Sequence, residues 1–194
     1  MASPSKEDRV TELFLDNPTK HWHFEEIMRI SGVSRGKTGK WLSRLTKEGI
    51  ITRTKKQGEM PYYTGNHETP RYRNKKKLYA QTKLYESGLL DHLAGLKKAK
   101  TVIIFGSFTR SDWHEDSDID LFIYGDDEGI DTIRYSRELR RELHVFTAHD
   151  IYHLKRLGKD LIGNIIKGNI VKGGLEFITV DIPDAKTQNK RRSL

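Results

Sequence analysis

Two stretches in the second half of the chain decide the fold: Thr101-Val102-Ile103-Ile104-Phe105-Gly106-Ser107 and Asp118-Ile119-Asp120-Leu121-Phe122-Ile123. The first is almost wholly apolar up to its closing Gly-Ser pair, which predicts a strand buried on both faces. The second alternates acidic and apolar residues, so strand periodicity places Asp118 and Asp120 on the same face. Two strands with polar groups at adjoining ends are therefore expected at the centre of this half.

These residue types favour phosphate chemistry. A Gly-Ser pair directly after a buried strand lets the backbone approach a phosphate, with amides and the Ser107 hydroxyl as donors. Two neighbouring carboxylates repel each other unless a cation neutralises them, and oxygen ligands suit Mg²⁺. The pattern predicts a phosphoryl- or nucleotidyl-transfer site, with Gly106 and Ser107 at the nucleotide and Asp118 and Asp120 at the metal.

The same residues carry a family resemblance. Gly106-Ser107-Phe108-Thr109-Arg110-Ser111, followed by Asp116-Ser117-Asp118-Ile119-Asp120-Leu121, resembles the signature of the DNA polymerase β-like nucleotidyltransferase superfamily, and within it the minimal nucleotidyltransferases. The resemblance runs from about residue 100 to about residue 178. It includes a closing helix at 161–168 and a terminal strand at 170–174.

The resemblance implies further site residues. Its third carboxylate is expected on the strand 142–147, after a helix over 133–141, which makes Glu142 a catalytic and metal-binding residue beside Asp118 and Asp120. Arg110 would steady the triphosphate. The implied substrate is a nucleoside triphosphate, ATP before the others, and the implied ion is Mg²⁺ or Mn²⁺.

The sequence departs from the family pattern at two positions. Ser111 replaces a customary glycine, and Glu142 replaces a customary aspartate. Glu142 can instead pair with Arg140 or Arg141 at a strand edge. For the three carboxylates as a whole, the alternative to an active enzyme is a degenerate member of the family. His144 alternates to the same face as Glu142, where it either lines the pocket or packs within the sheet.

The first half predicts three helices and a hairpin. Apolar spacing marks a helix at 10–15, a second that stops at Ser31-Gly32, and a third capped by Ser34 and closed by Gly49. Strands at 50–54 and 62–63 flank a polar turn. This order is typical of a winged helix-turn-helix, whose third helix reads DNA.

Basic side chains follow the predicted recognition helix and wing, and they are the candidate nucleic-acid-binding residues: Arg35, Lys37, Lys40, Arg44, Lys55 and Lys56. Such cations suit phosphate contacts. A module of this shape that serves only for docking or dimerisation is the alternative, and a two-fold homodimer is compatible with either.

A basic connector joins the halves. The run 71–77 is rich in Arg and Lys and contains Tyr72, so it indicates either a solvated linker or a surface that stacks on bases and neutralises phosphate. A helix is expected over 78–93. The connector and first half, especially 85–89, resemble archaeal-type fusions of a winged helix to this nucleotidyltransferase domain.

The composition bears on the partners and the cellular location of the protein. Residues 1–100 hold 21 Lys or Arg against 11 Asp or Glu, whereas residues 101–194 hold 14 against 16. A basic half beside a near-neutral one suggests a polyanion partner, although lysines that merely keep the protein soluble explain it equally simply. There is no cysteine, and no apolar run approaches the roughly 20 residues of a membrane span. We therefore expect a cytoplasmic protein without a membrane partner.

The expected architecture is a two-domain α/β (α+β) protein. A winged helix-turn-helix occupies residues 1–66, a basic helical connector 67–98, a small mixed-sheet nucleotidyltransferase domain 99–180 and a basic tail 181–194. The expected activity is transfer of a nucleoside monophosphate to an acceptor hydroxyl on a protein or a nucleic-acid end. The alternative is a non-enzymatic DNA-binding regulator or antitoxin-like protein.

Overall fold

A three-stranded antiparallel sheet and a four-stranded mixed sheet organise the computed structural model, which describes residues 5–178. The predicted tail 181–194 lies outside the described residues. Each sheet is built largely from one half of the chain, and helices cover both. No helix within residues 5–178 is both long enough and apolar enough to cross a membrane.

The helices of the first half lie where the apolar spacing predicts them. They are α1 (Lys6–Asp16), α2 (Phe24–Ser31) and α3 (Arg35–Lys47). Ser5 begins α1 through a reciprocal capping box with Asp8. Gly32 ends α2 with a φ of 64°, a left-handed conformation that glycine adopts without strain.

The predicted hairpin is present and has one additional strand. Strands β2 (Ile51–Thr54) and β3 (Tyr62–Gly65) pair antiparallel. A short strand, β1 (Trp22–His23), pairs with the other edge of β3. Sequence periodicity did not predict β1, because two residues are too few to show alternation.

The connector is a packed helix. Helix α4 (Pro70–Glu86) begins after Thr69, whose side chain accepts a hydrogen bond from the Tyr72 amide. It buries side chains at a regular four-residue spacing, which gives one continuous buried stripe: Tyr72, Lys76, Ala80 and Leu84. A short helix, α5 (Leu89–Ala94), follows.

Of the two alternatives for the connector, the one in which Tyr72 stacks on bases is wrong. Tyr72 is 1% exposed, and its hydroxyl donates a hydrogen bond of 2.6 Å to the Phe14 carbonyl in α1. Lys76, a cation of the same run, is also buried. The other basic residues of the run, Arg71, Arg73, Lys75 and Lys77, are exposed. The connector therefore contributes to the core and is not a solvated linker.

The second half alternates strands and helices along the chain. Its strands are β4 (Ala99–Phe105), β5 (Ile119–Gly125), β6 (Leu143–Ala148) and β7 (Asn169–Lys172). Its helices are α6 (Ser107–Arg110), α7 (Thr132–Leu139), α8 (Ile151–Arg156) and α9 (Lys159–Ile165). The strand order is β6-β5-β4-β7, with β5 and β6 parallel and the other pairs antiparallel, so the predicted mixed sheet is confirmed.

Both faces of this sheet are covered, as the apolar run of β4 predicts. Val102 and Ile104 face a cluster that continues through α4 and α1 to Val10. Ile103 and Phe105 face a second cluster, formed with Phe122, Ala148 and the helices α8 and α9. The first cluster joins side chains from both halves of the chain, and the division at 66 and 98 remains a proposal.

Candidate active site

The turn between β4 and α6 brings the backbone against an acidic side chain. Gly106 has φ 79° and ψ −159°, a conformation open essentially to glycine alone. A Cβ placed on Gly106 would lie 2.0 Å from Oδ2 of Asp120. The glycine therefore provides both the turn and the space into which the Asp120 carboxylate extends.

Asp118 directly precedes β5, and Asp120 is the second residue of that strand. Asp120 pairs with Phe105 in the antiparallel register, which places it beside the end of β4, and Ile119 points to the opposite face and is fully buried. Burial raises the pKa of Asp120, and the Asp118 charge raises it further, whereas His144 and Arg110 lower it. The register fixes Asp120 alone, and the sharing of one sheet face by Asp118 and Asp120 stays a prediction.

A histidine lies between two carboxylates at the same place. His144 is the parallel partner of Asp120 in β6. Its Nδ1 lies 3.5 Å from Oδ2 of Asp118, and its Nε2 lies 3.5 Å from Oε1 of Glu142. One ligand atom from each of Asp118, Glu142 and His144 falls within 4.8 Å of the others. The three side chains are partly open to solvent, so a ligand can reach them.

Glu142 directly precedes β6 and points toward this cluster. In the part of the chain that the structure describes it forms no ion pair with Arg140 or Arg141, the alternative that the sequence left open. Arg141 instead pairs with Asp16 of α1. Among the described residues, the Glu142 carboxylate therefore lies beside His144 and not beside an arginine.

The donors present fit a divalent cation. Asp118 and Glu142 offer carboxylate oxygens and His144 a ring nitrogen within 4.8 Å of one another, whereas Asp120, the strand partner of His144, is not part of this group. Oxygen with nitrogen ligands suits Mn²⁺ as well as the harder Mg²⁺. His144 was predicted only as a residue that lines the pocket or packs in the sheet. Its place beside Asp118 depends on the β5–β6 register, which the local sequence does not specify.

Residues of α6 border the cluster. Ser107 opens the helix next to Gly106. The Arg110 guanidinium pairs at 3.2 Å with the Asp112 carboxylate, and its charge lowers the pKa of Asp120. Ser111 ends α6 with a φ of 70°. The backbone there is left-handed, which accounts for the glycine that the family pattern places at this position.

The candidate nucleic-acid residues divide into two groups. Arg35 pairs with Glu25 at 2.6 Å, and Arg44 pairs with both Glu7 and Glu48. The others are exposed and form no ion pair among residues 5–178: Lys37, Lys40, Lys55 and Lys56. Because Lys37 and Lys40 are three residues apart in α3, they share a helix face.

A glycine turn beside carboxylates at one end of a mixed sheet suits phosphoryl or nucleotidyl transfer. The family model described as "Polymerase beta, Nucleotidyltransferase" matches residues 89–172. This match supports placing that segment in the polymerase β-like nucleotidyltransferase superfamily, and with it a transferase activity of that general kind. Neither a comparison with curated proteins nor one with solved structures gave a match.

Proposed function

We propose that the chain is a divalent-metal-dependent nucleotidyltransferase that moves a nucleoside monophosphate, AMP before the others, from its triphosphate to an acceptor hydroxyl. The observation that carries the proposal is the convergence of Gly106, Asp120 and the Asp118–His144–Glu142 cluster at one end of the sheet. This convergence lies within the segment that matches the family.

The proposed reaction forms one bond and breaks one. The acceptor oxygen bonds to the α-phosphorus, the bond from that phosphorus to the oxygen bridging to the β-phosphate breaks, and pyrophosphate leaves. A divalent cation held by Asp118, Asp120 and Glu142, with His144 as a further donor, would neutralise the triphosphate and polarise its α-phosphoryl group.

Other residues of the chain bind the triphosphate and take the proton of the acceptor. The backbone at Gly106, the hydroxyl of Ser107 and the guanidinium of Arg110 bind the β- and γ-phosphates. Glu142, whose side chain is 72% exposed and therefore open to an acceptor, takes the hydroxyl proton.

The acceptor we favour is a nucleic-acid end, bound through the first half as a winged helix. Support comes from Lys37 and Lys40 on α3, which are exposed and form no ion pair within residues 5–178, and from the exposed Lys55 and Lys56 beyond β2. A hydroxyl on a partner protein is the other outcome that the experiment distinguishes.

Incubation with each α-³²P-labelled nucleoside triphosphate, Mg²⁺ or Mn²⁺, and cellular RNA, DNA and protein fractions tests the proposal. Label should enter one fraction with the wild type and should fall at least about 100-fold with Asp118→Ala or Asp120→Ala. Asp116→Ala is the matched control, because this exposed carboxylate lies in the same loop and forms no hydrogen bond among the described side chains.

Two results would overturn the proposal. One is an absence of labelling and of nucleotide binding with every triphosphate. The other is equal loss of labelling in Asp116→Ala and Asp118→Ala. Duplex binding without turnover would instead favour a non-enzymatic DNA-binding regulator that keeps the fold.

A further inference from the structure

The loop between α6 and β5 determines where Asp118 lies. It covers residues 111–117 and contains neither helix nor strand. Asp118 follows it and precedes β5, whose first residue is Ile119. Because no strand pairing fixes Asp118 itself, the position of its carboxylate depends on how the loop is held.

One buried arginine donates hydrogen bonds to several backbone carbonyls of this loop. Nη1 of Arg141 donates toward the backbone oxygens of His114, Glu115 and Ser117, at 2.5, 3.1 and 2.9 Å. The guanidinium also lies over the Trp113 ring, 4.7 Å from its centroid. Its side chain is only 8% exposed. A buried guanidinium requires such acceptors, because it keeps its charge.

The first half of the chain anchors this arginine. Nη2 of Arg141 lies 2.9 Å from Oδ1 of Asp16, the last residue of α1. The Asp16 carbonyl also accepts a hydrogen bond from the Glu115 amide at 3.1 Å. Asn17 donates to the Glu115 carboxylate at 2.9 Å. The end of α1 therefore contacts both the loop and the residue that holds the loop.

The connector contributes a second buried cation. Nζ of Lys76, on α4, donates to the Trp113 carbonyl at 2.5 Å and lies 4.3 Å from the centroid of the Trp113 ring. Lys76 is 2% exposed. The carbonyls of Trp113, His114, Glu115 and Ser117 thus all face cations, and Asp16 supplies the compensating negative charge.

We infer that Arg141 is a positioning residue: with Asp16 and Lys76 it clamps the loop 111–117 and so sets the place of the Asp118 carboxylate. This inference rests on the proposed function, in which Asp118 binds the cation. Its consequence is that the first half of the chain helps to build the metal site, in addition to binding an acceptor.

A purely structural role makes a different prediction. If Arg141 only filled space, its loss would lower the stability of the protein and leave the metal dependence of catalysis unchanged. A positioning role requires that metal affinity change while the fold persists. Residues that orient metal ligands typically change metal affinity by about 10- to 100-fold when replaced.

The test uses Arg141→Lys in the full-length chain. Lysine keeps the charge, but its single ammonium cannot reach three carbonyls and a carboxylate together. Arg140→Lys is the matched control, since Arg140 is the exposed neighbour in the sequence. Asp16→Asn is the second variant, because it keeps an acceptor and removes only the anchoring charge.

Two readouts are needed. Hydrogen–deuterium exchange, measured on peptides covering 111–119, should rise in Arg141→Lys and Asp16→Asn and should not rise in Arg140→Lys. The Mn²⁺ concentration for half-maximal nucleotidyl transfer should rise about tenfold in the same two variants. The KM for nucleotide at saturating Mn²⁺ should change by less than about threefold.

The outcomes separate the inference from the proposed function. Unchanged exchange over 111–119 in Arg141→Lys overturns the clamp. Increased exchange with an unchanged Mn²⁺ requirement overturns the positioning role and leaves Arg141 a structural residue. Absence of metal-dependent transfer in the wild type overturns the proposed function, and the inference with it. A tenfold shift confined to Arg141→Lys and Asp16→Asn supports both.

Discussion

Oδ2 of Asp120 occupies the space that a side chain at Gly106 would need. A Cβ at Gly106 would lie 2.0 Å from this oxygen and 3.0 Å from the carboxyl carbon. The turn after β4 and the carboxylate at the start of β5 are therefore fitted to each other. A change at either position therefore affects both the Gly106 turn and the Asp120 carboxylate.

Gly106→Ala should abolish activity. The methyl group displaces the Asp120 carboxylate, and the backbone conformation costs a non-glycine residue about 1–3 kcal/mol. We expect nucleotidyl transfer to fall at least about 100-fold, as measured by incorporation of labelled nucleotide. Gly163→Ala, inside α9 where the added Cβ meets nothing within 4 Å beyond its chain neighbours and the helix's own backbone, should retain activity and gain about 0.5–1 kcal/mol of stability. Equal activity in both variants would contradict this account.

Ser111→Gly should stabilise the protein. Ser111 has a φ of 70°, a conformation that costs a non-glycine residue roughly 1 kcal/mol. Its replacement should raise the free energy of unfolding in urea by about that amount. The same replacement at Ser43, an exposed position inside α3, should lower it by about 0.5 kcal/mol. A loss of stability at both serines would show that the Ser111 backbone is not strained.

Lys37→Ala/Lys40→Ala should weaken duplex binding if α3 contacts phosphates. Loss of two phosphate contacts should reduce the slope of log K against log salt by about 2. Fluorescence anisotropy over a salt series measures this slope. Arg35→Ala should have a smaller effect, because its guanidinium already pairs with Glu25. Lys155→Ala, on the exposed surface of α8, should leave the slope unchanged. If Lys155→Ala changed the slope as much as the double variant does, the effect would be one of nonspecific charge.

The buried Lys76 predicts a pH dependence of stability. Burial lowers its pKa to about 8 from 10.5, and the neighbouring charges are those of Asp16, Arg141 and Asp112. Between these two pH values the unfolded chain binds more protons than the folded one, so the stability due to Lys76 rises with pH. This contribution of Lys76 to the free energy of unfolding is fully present above pH 10.5 and is lost as the pH falls to 8.

The measurement compares the wild type with Lys76→Met by urea unfolding. From pH 8 to pH 10 the wild type should gain up to about 3 kcal/mol relative to the variant, since one pKa unit corresponds to about 1.4 kcal/mol. Lys75→Met, at the exposed neighbouring position in α4, should show no such gain. A difference between wild type and Lys76→Met that stays constant with pH would show that Lys76 does not titrate in this interval.

The local sequence was sufficient to predict the central strands and the ends of the first helices. The apolar run of β4 and the alternation of β5 are strong short-range signals, and Gly32 and Gly49 take the positive φ angles expected of helix ends. Together with the family resemblance, these signals predicted the mixed sheet and the proximity of Gly106 to Asp120.

The remaining features depend on contacts between distant parts of the chain. The sequence did not predict the buried face of α4, because that face includes Lys76. A lysine is expected at the surface, and only the structure shows that its partner is the Trp113 carbonyl. The role of Arg141 depends on Asp16, which is 125 residues away in sequence. Likewise, His144 joins Asp118 only through the parallel register of β5 and β6.

The buried cluster that extends from Val10 to Leu143 links the two halves thermodynamically. Since Lys76 and Tyr79 of α4 lie against the Trp113 ring, separating the halves would expose its indole together with the cations beside it. We expect a single cooperative unfolding transition for the whole chain. A nucleotide bound near Gly106 would then raise the melting temperature reported by Trp22 in the first half, by mass action alone.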